Sequence, residues 1–289
     1  VQQLQFSGAF AGTVQYIEDS PDTYCSQDVY FLQSEDGDLP LDTQRVESYL
    51  DTITYLGLSE YATYNATQEE LESYGLDTPE LSIQAEYTVE DEDSGESSQE
   101  TFVLHISRDP AQLEALAAQE AEEAEAAAQA EEQLEEESDG EAETVEAEAA
   151  EEAAAETDLE EEEEITAYAR VGDSQIVYLL DGYDYQALMD VSYDALRHTQ
   201  VLSADFSTIQ QLDFTLEDSR YTITAQVDEE ATQDEEAPVL AYTYQGEELD
   251  ITALQSAIEA LSADSFTDEQ PTQKEEIRFT AHLDNQNFP

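Results

Sequence analysis

The sequence predicts an α+β fold of antiparallel and mixed sheets with packed helices, arranged as one full and one partial copy of a repeated unit. Residues 1–6 (Val-Gln-Gln-Leu-Gln-Phe) recur as residues 209–214 (Ile-Gln-Gln-Leu-Asp-Phe), an offset of 208. The same offset carries Leu41, Asp42, Val46, Leu50 and Ile53 onto Leu249, Asp250, Leu254, Ile258 and Leu261. Two separated segments sharing one offset set the architecture ahead of any local reading. The third observation is periodicity: period-two apolar runs alternate along the chain with segments at helical spacing. The expected boundaries are 1–202 for the first unit and 203–289 for the second. The first carries a long acidic low-complexity insertion at 109–164.

Taken in order, Leu4-Gln-Phe6 and Val14-Gln-Tyr16-Ile17 flank Gly8 and Gly12 and predict a hairpin. Val29–Leu32 is a short strand. Asp42 caps a helix whose Val46, Leu50 and Ile53 face the core. Thr67 and Glu70 have the spacing of a capping box. Gly75 supplies the left-handed helix stop, Leu76 its apolar contact, and Pro79 prevents resumption. Four strands follow. Leu81–Val89 and Phe102–Ile106 alternate around a polar loop spanning Glu90–Glu100. Ile165–Val171 and Gln175–Leu180 flank the turn Gly172-Asp173-Ser174, which predicts an antiparallel meander. Helical turns containing Leu188, Val191 and Leu196 begin at Asp184 or Ser192.

The second unit reads as Ile209–Leu216, Tyr221–Val227, Val239–Tyr244, a helix over Asp250–Leu261, and Ile277–Leu283. Ile277-Arg-Phe-Thr-Ala aligns with Leu81-Ser-Ile-Gln-Ala at an offset of 196, twelve less than before. Twelve residues is the length of Thr67–Thr78, so the second copy is expected to lack that helix and turn. It also lacks counterparts of the later strands, which suggests that the chain is truncated.

The chain has 289 residues, 73 acidic and 7 basic, and a net charge of −66. A charge of that size repels nucleic acid and anionic lipid surfaces, so neither is an expected partner. The insertion 109–164 holds 25 of the acids and no Lys or Arg. Its Glu, Ala and Gln favour helix, while uncompensated like charge opposes it. It reads as a partly helical, mobile excursion in an extended hairpin loop. Cys25 is the only cysteine, so no internal disulfide forms. No apolar run approaches the roughly 20 residues that span a bilayer. A chain starting at Val1 without a signal-like stretch reads as the processed or trimmed part of a longer protein, with a membrane anchor in the missing N-terminus.

The segment Leu41–Leu202 resembles the bacterial family called domain of unknown function 4340. The likeness rests on Tyr74-Gly75-Leu76-Asp77-Thr78-Pro79, on the hairpin Tyr168-Ala169-Arg170-Val171-Gly172-Asp173 with Val177-Tyr178, and on Leu196-Arg197. Tyr-Gly-Leu-Asp-x-Pro is the most specific of these. The resemblance implies an extracytoplasmic α+β protein tethered to a bacterial membrane by an N-terminal helix and serving as an auxiliary of an ABC-type transport system. It carries over no catalytic residue.

Candidate sites are few. His105, His198 and His282 lie far apart, with no second His or Cys at ligand spacing, and read as ordinary structural residues. The loop Asp91-Glu-Asp93-Ser-Gly95 fails the EF-hand pattern in either alignment. It reads first as a solvated loop and second as a place for weak calcium or other cation association. No nucleophile elbow or phosphate-cradling loop occurs, and no metal or cofactor is implied. Arg170 and Arg197, scarce cations in an acidic chain, are the candidate contacts for a ligand or partner, together with Tyr74. The competing reading pairs each Arg with a local carboxylate. The many tyrosines (Tyr49, Tyr55, Tyr61, Tyr64, Tyr74) suit either a contact surface or the wet edge of a core.

The expected function is that of a non-enzymatic interaction or scaffold protein whose partner is another cell-envelope protein. The alternative is an envelope-exposed ligand- or cation-binding module. An interaction protein predicts an aromatic or uncharged surface patch; a binding module predicts a pocket that collects Tyr with one of the scarce Arg residues.

Overall fold

Apolar alternation and capped helical stretches assemble into two antiparallel sheets in the computed structural model. It describes all residues except 19, 21–22, 24, 36, 92–94, 119–164, 217–218, 229–238, 268–271, 273–274 and 284–289. The first sheet has nine strands in the order β4-β3-β2-β1-β6-β7-β8-β9-β5, and the second has five in the order β13-β12-β11-β10-β14. Their bounds are β1 Gln3–Gly8, β2 Gly12–Tyr16, β3 Tyr30–Leu32, β4 Leu39–Pro40, β5 Tyr61–Thr63, β6 Leu81–Glu90, β7 Ser97–Arg108, β8 Ala167–Val171 and β9 Val177–Leu180. In the second sheet they are β10 Ile209–Leu216, β11 Ser219–Val227, β12 Leu240–Tyr244, β13 Glu247–Glu248 and β14 Ile277–Leu283. The α+β class therefore stands.

Helix α1 (Thr43–Thr54) starts where Asp42 Oδ1 accepts the amides of Gln44 and Arg45. Such a cap is worth about 1 kcal/mol. Val46 and Tyr49 are its buried positions, with Leu50 and Ile53 packed partly buried against the same core. Helix α2 (Gln68–Ser73) has the complete capping box of Thr67 and Glu70. Its other end closes as a Schellman motif, the Gly75 amide donating to Glu72 and the Leu76 amide to Leu71. Gly75 has φ +71°, and Leu76 and Leu71 pack together in a small satellite core. Helix α3 is described over residues 110–118. Helices α4 (Gly182–Met189) and α5 (Tyr193–Leu196) are capped by Asp181 and Ser192. Helix α6 (Thr252–Glu259) accompanies the second sheet.

Three details depart from the sequence reading. The loop expected over Glu90–Glu100 is shorter, because β6 runs through Glu90 and β7 begins at Ser97, held by ten paired residues despite their polarity. Tyr61–Thr63 forms an edge strand on β9 where no element is expected from the sequence. Asp181, not Asp184, caps α4. The acidic insertion joins β7 to β8, which pair antiparallel; the reading of it as a mobile excursion falls largely outside the described residues, as does that of Asp93 and its neighbours.

The main core collects Leu4, Phe6, Val14, Leu41, Val46, Ile83, Leu104 and Ile106, all nearly inaccessible. Among the described residues, the second core buries Ile209, Leu212, Ile223 and Ile251, with Phe214, Tyr242, Leu254, Phe279, Ala281 and Leu283 partly covered. The registers of the two sheets correspond. Leu4 faces Ala85 and Phe6 faces Ile83, while Leu212 faces Ala281 and Phe214 faces Phe279.

Candidate functional site

Two regions concentrate chemistry that the fold does not fully use. The first is the open edge of the second sheet. Strand β14 pairs with β10 along one side only and ends the sheet. At the matching place in the first sheet, β7 lies against β6, with Leu104 opposite Ile83 and Ile106 opposite Leu81. In the first sheet Leu81 is at 0% exposure, whereas Ile277, in the position of Leu81, is 63% exposed. A sheet edge with unpaired backbone groups beside half-covered apolar side chains is a template for a further strand. On the opposite face of this sheet, Asp213 accepts hydrogen bonds from Thr222 (2.6 Å), Arg220 (2.7 Å) and Gln211 (3.1 Å), and sits 3.1 Å from His282 Nε2. These donors, Thr222 and Arg220 foremost, hold its carboxyl well below the usual carboxylate range.

The second region lies beside the segment that leads from α5 toward the second sheet. The loop before β3, the start of α1 and the segment after α5 enclose a cavity of about 750 Å³. Asp28, Asp42, Arg45, Tyr49 and His198 line it. His198 Nε2 is 2.8 Å from Asp28 Oδ1 and its Nδ1 is 3.7 Å from Asp42 Oδ2. The hydrogen bond to Asp28 raises the His198 pKa above the ordinary histidine value, against the effect of burial. Cys25 also lines this cavity, and burial pushes its thiol upward, away from a reactive thiolate. Arg45 donates to the Ala195 carbonyl at 3.1 Å, and the Tyr49 hydroxyl to the Leu188 carbonyl at 2.9 Å. The cavity thus pairs a Tyr with a scarce Arg, though the hydroxyl is already engaged.

The three candidate contact residues occupy different settings. Arg170 on β8 donates to the Ser174 carbonyl at 2.7 Å and lies 4.0 Å from Asp173, so it braces its own hairpin. Arg197 pairs with Asp194 at 3.0 Å, and its guanidinium sits 3.5 Å from the Phe266 ring centroid and 5.0 Å from that of Tyr193. That sandwich ties α5 to the second unit through cation–π attraction. Tyr74 packs on Tyr168, ring centroids 4.6 Å apart. His105 meets Ser82 at 2.8 Å across β6 and β7, and burial lowers its pKa.

The tyrosines divide. Tyr49 is buried, whereas Tyr55 is 81% and Tyr64 67% exposed. Tyr61 stacks on Tyr64 at 4.4 Å and leans on Tyr178 at 5.2 Å, forming an aromatic platform at the β5 edge. Sequence reasoning missed both the β14 edge and the His198–Asp28 pair. The first depends on which strands pair, and spacing within a segment does not record that. The second joins residues 170 apart in sequence and had no local signal.

Among the described residues, no group of three or more His, Cys, Asp or Glu side chains could hold a metal ion, and no helix is long and apolar enough to cross a membrane. No family model matches the chain, and neither a curated protein nor a solved structure matches it.

Proposed function

We propose that the protein is a non-enzymatic interaction module that takes up an added strand at the β14 edge of its second sheet. One observation carries this reading: β14 is an open edge at the register where the first sheet holds β7, and its core-facing side chains are only half covered. The exposed Tyr61–Tyr64–Tyr178 platform supports a second contact area on the same molecule. The common register of the two sheets supports a single structural unit present once in full and once in part, with the acidic insertion an elaboration of the full copy. Its partner would be a cell-envelope protein on the extracytoplasmic side of a bacterial membrane, within an ABC-type transport assembly, a placement that rests on the family resemblance alone. The second reading, a ligand-binding module, is favoured by the junction cavity that brings Arg45 and Tyr49 together.

A labelled peptide copying residues 97–108 tests the interaction reading. Aligned as β7 is on β6, it would set Ile106, Leu104 and Phe102 opposite Ile277, Phe279 and Ala281. Fluorescence anisotropy should show saturable binding, lost with a scrambled peptide. Ile277→Glu, at an exposed position, should abolish binding while leaving the fold intact. Equal binding of the scrambled peptide, or undiminished binding by the Ile277→Glu protein, would remove the basis of the proposal.

A further inference from the structure

The loop over residues 25–28 holds the connection between α5 and β10 at both of its ends. At one end the Ser26 amide donates to Asp205 Oδ2 at 3.0 Å, just ahead of β10. At the other, Asp28, only 2% exposed, meets His198. His198 lies in the connection between α5 and the second sheet, and that connection is clasped further by three backbone bonds. The Asp42 amide donates to the Leu196 carbonyl at 3.0 Å, the Val201 amide to Leu261 at 3.0 Å, and the Ala263 amide to Thr199 at 2.7 Å. The last two form the bridge between Gln200 and Ser262.

Both ring nitrogens of His198 face carboxylates. A neutral imidazole has one N–H and one lone pair, so it satisfies one carboxylate and presents a lone pair to the other. The imidazolium donates to Asp28 and presents its second N–H to Asp42 at ion-pair range, 3.7 Å. We propose that protonation of His198 latches the second sheet onto the first, and that deprotonation loosens the junction. The charged groups around the ring are Asp28 from the loop before β3, and Asp42 and Arg45 from the start of α1. Cys25 and Asp190 share the cavity, and Asp205 holds the far end of the loop. Arg45 opposes the imidazolium, and the two nearest carboxylates favour it. Asp42 cannot turn away freely, because its other oxygen caps α1.

The direction of the pH response follows from this pairing. The ion pair is present while His198 is charged, so the latch is fully closed below the pKa of a free histidine and is lost as pH rises through the raised folded value. Carboxylates are ionised throughout the range from about pH 5.5 to 9, which leaves the three histidines as the main titrating side chains.

Amide hydrogen exchange on the full chain tests the latch, read as protection relative to the intrinsic rate at each pH. Protection of Ser26, Asp42 and Val201 should fall severalfold between pH 5.5 and 9, while amides of the β1–β6 ladder stay protected. His198→Gln should show the low junction protection at both pH values. His282→Gln, altering the histidine on Asp213, should behave as the parent. Asp28→Asn provides a second variant and should also remove the pH dependence if His198→Gln perturbs the ladder. Junction protection that is unchanged with pH in the parent would overturn the proposal. A pH response surviving in both His198→Gln and Asp28→Asn would overturn it too, as would one abolished by His282→Gln.

Discussion

Replacing Gly75 by Ala separates two costs that the end of α2 combines. At φ +71° an alanine occupies the left-handed region, at a cost of roughly 1–2 kcal/mol. The stiffer unfolded chain returns about 0.4–1 kcal/mol of that. The added methyl also lands 2.8 Å from Ser107 Oγ and 3.2 Å from Pro110 Cγ. Ser107 is 3% exposed, so it gives way only by leaving its rotamer, at about 0.5–1.5 kcal/mol. The expected destabilisation is about 2 kcal/mol. Gly172, at φ +51° with open space within 4 Å of where a Cβ would sit, is the natural control. Gly172→Ala bears the backbone cost alone and should lose about 0.5–1 kcal/mol. Urea unfolding followed by far-UV circular dichroism measures both, as midpoint shifts at constant slope. Equal losses at the two sites would refute the idea that α2 is stopped against the end of β7, since contact with Ser107 is what distinguishes them.

Tyr49→Phe should cost about 1 kcal/mol in thermal melts, because the Leu188 carbonyl loses its donor inside the core; an unchanged melting temperature would mean that water replaces the hydroxyl. Asp213→Asn should destabilise the second sheet at neutral pH by removing the carboxylate that Arg220, Thr222 and His282 surround. The folded pKa of Asp213 is depressed, so its contribution is present above the unfolded value of about 3.9 and is lost as pH falls toward the folded one. The gap between parent and variant in urea midpoint should therefore be constant at neutral pH and narrow steadily as pH falls below about 4; a gap as wide in acid as at neutral pH would contradict that account.

Local chemistry made much of the fold readable. The capping box at Thr67 and Glu70, the Gly75 stop and the Asp42 cap depend on residues within four positions of one another, so their hydrogen bonds follow from spacing. Alternating strands such as Leu81–Val89 are equally local, since one buried face dictates every second residue. Edge strand β5 was hidden because Tyr61–Thr63 is too short to show a period, and its pairing with β9 reaches across more than a hundred residues. Arg170 and Arg197 were legible as locally paired cations, because Asp173 and Asp194 lie three residues from them; the Phe266 ring over Arg197 was not.

By itself, then, the sequence determined the class and most of the elements, because caps, turns and alternation are short-range. Only the tertiary structure decided that β14 is left as an edge where β6 is covered, and that His198 stands between Asp28 and Asp42. Both depend on which distant strands find each other. That choice is governed by burial of whole faces and by chain connection, and no spacing within a segment records it.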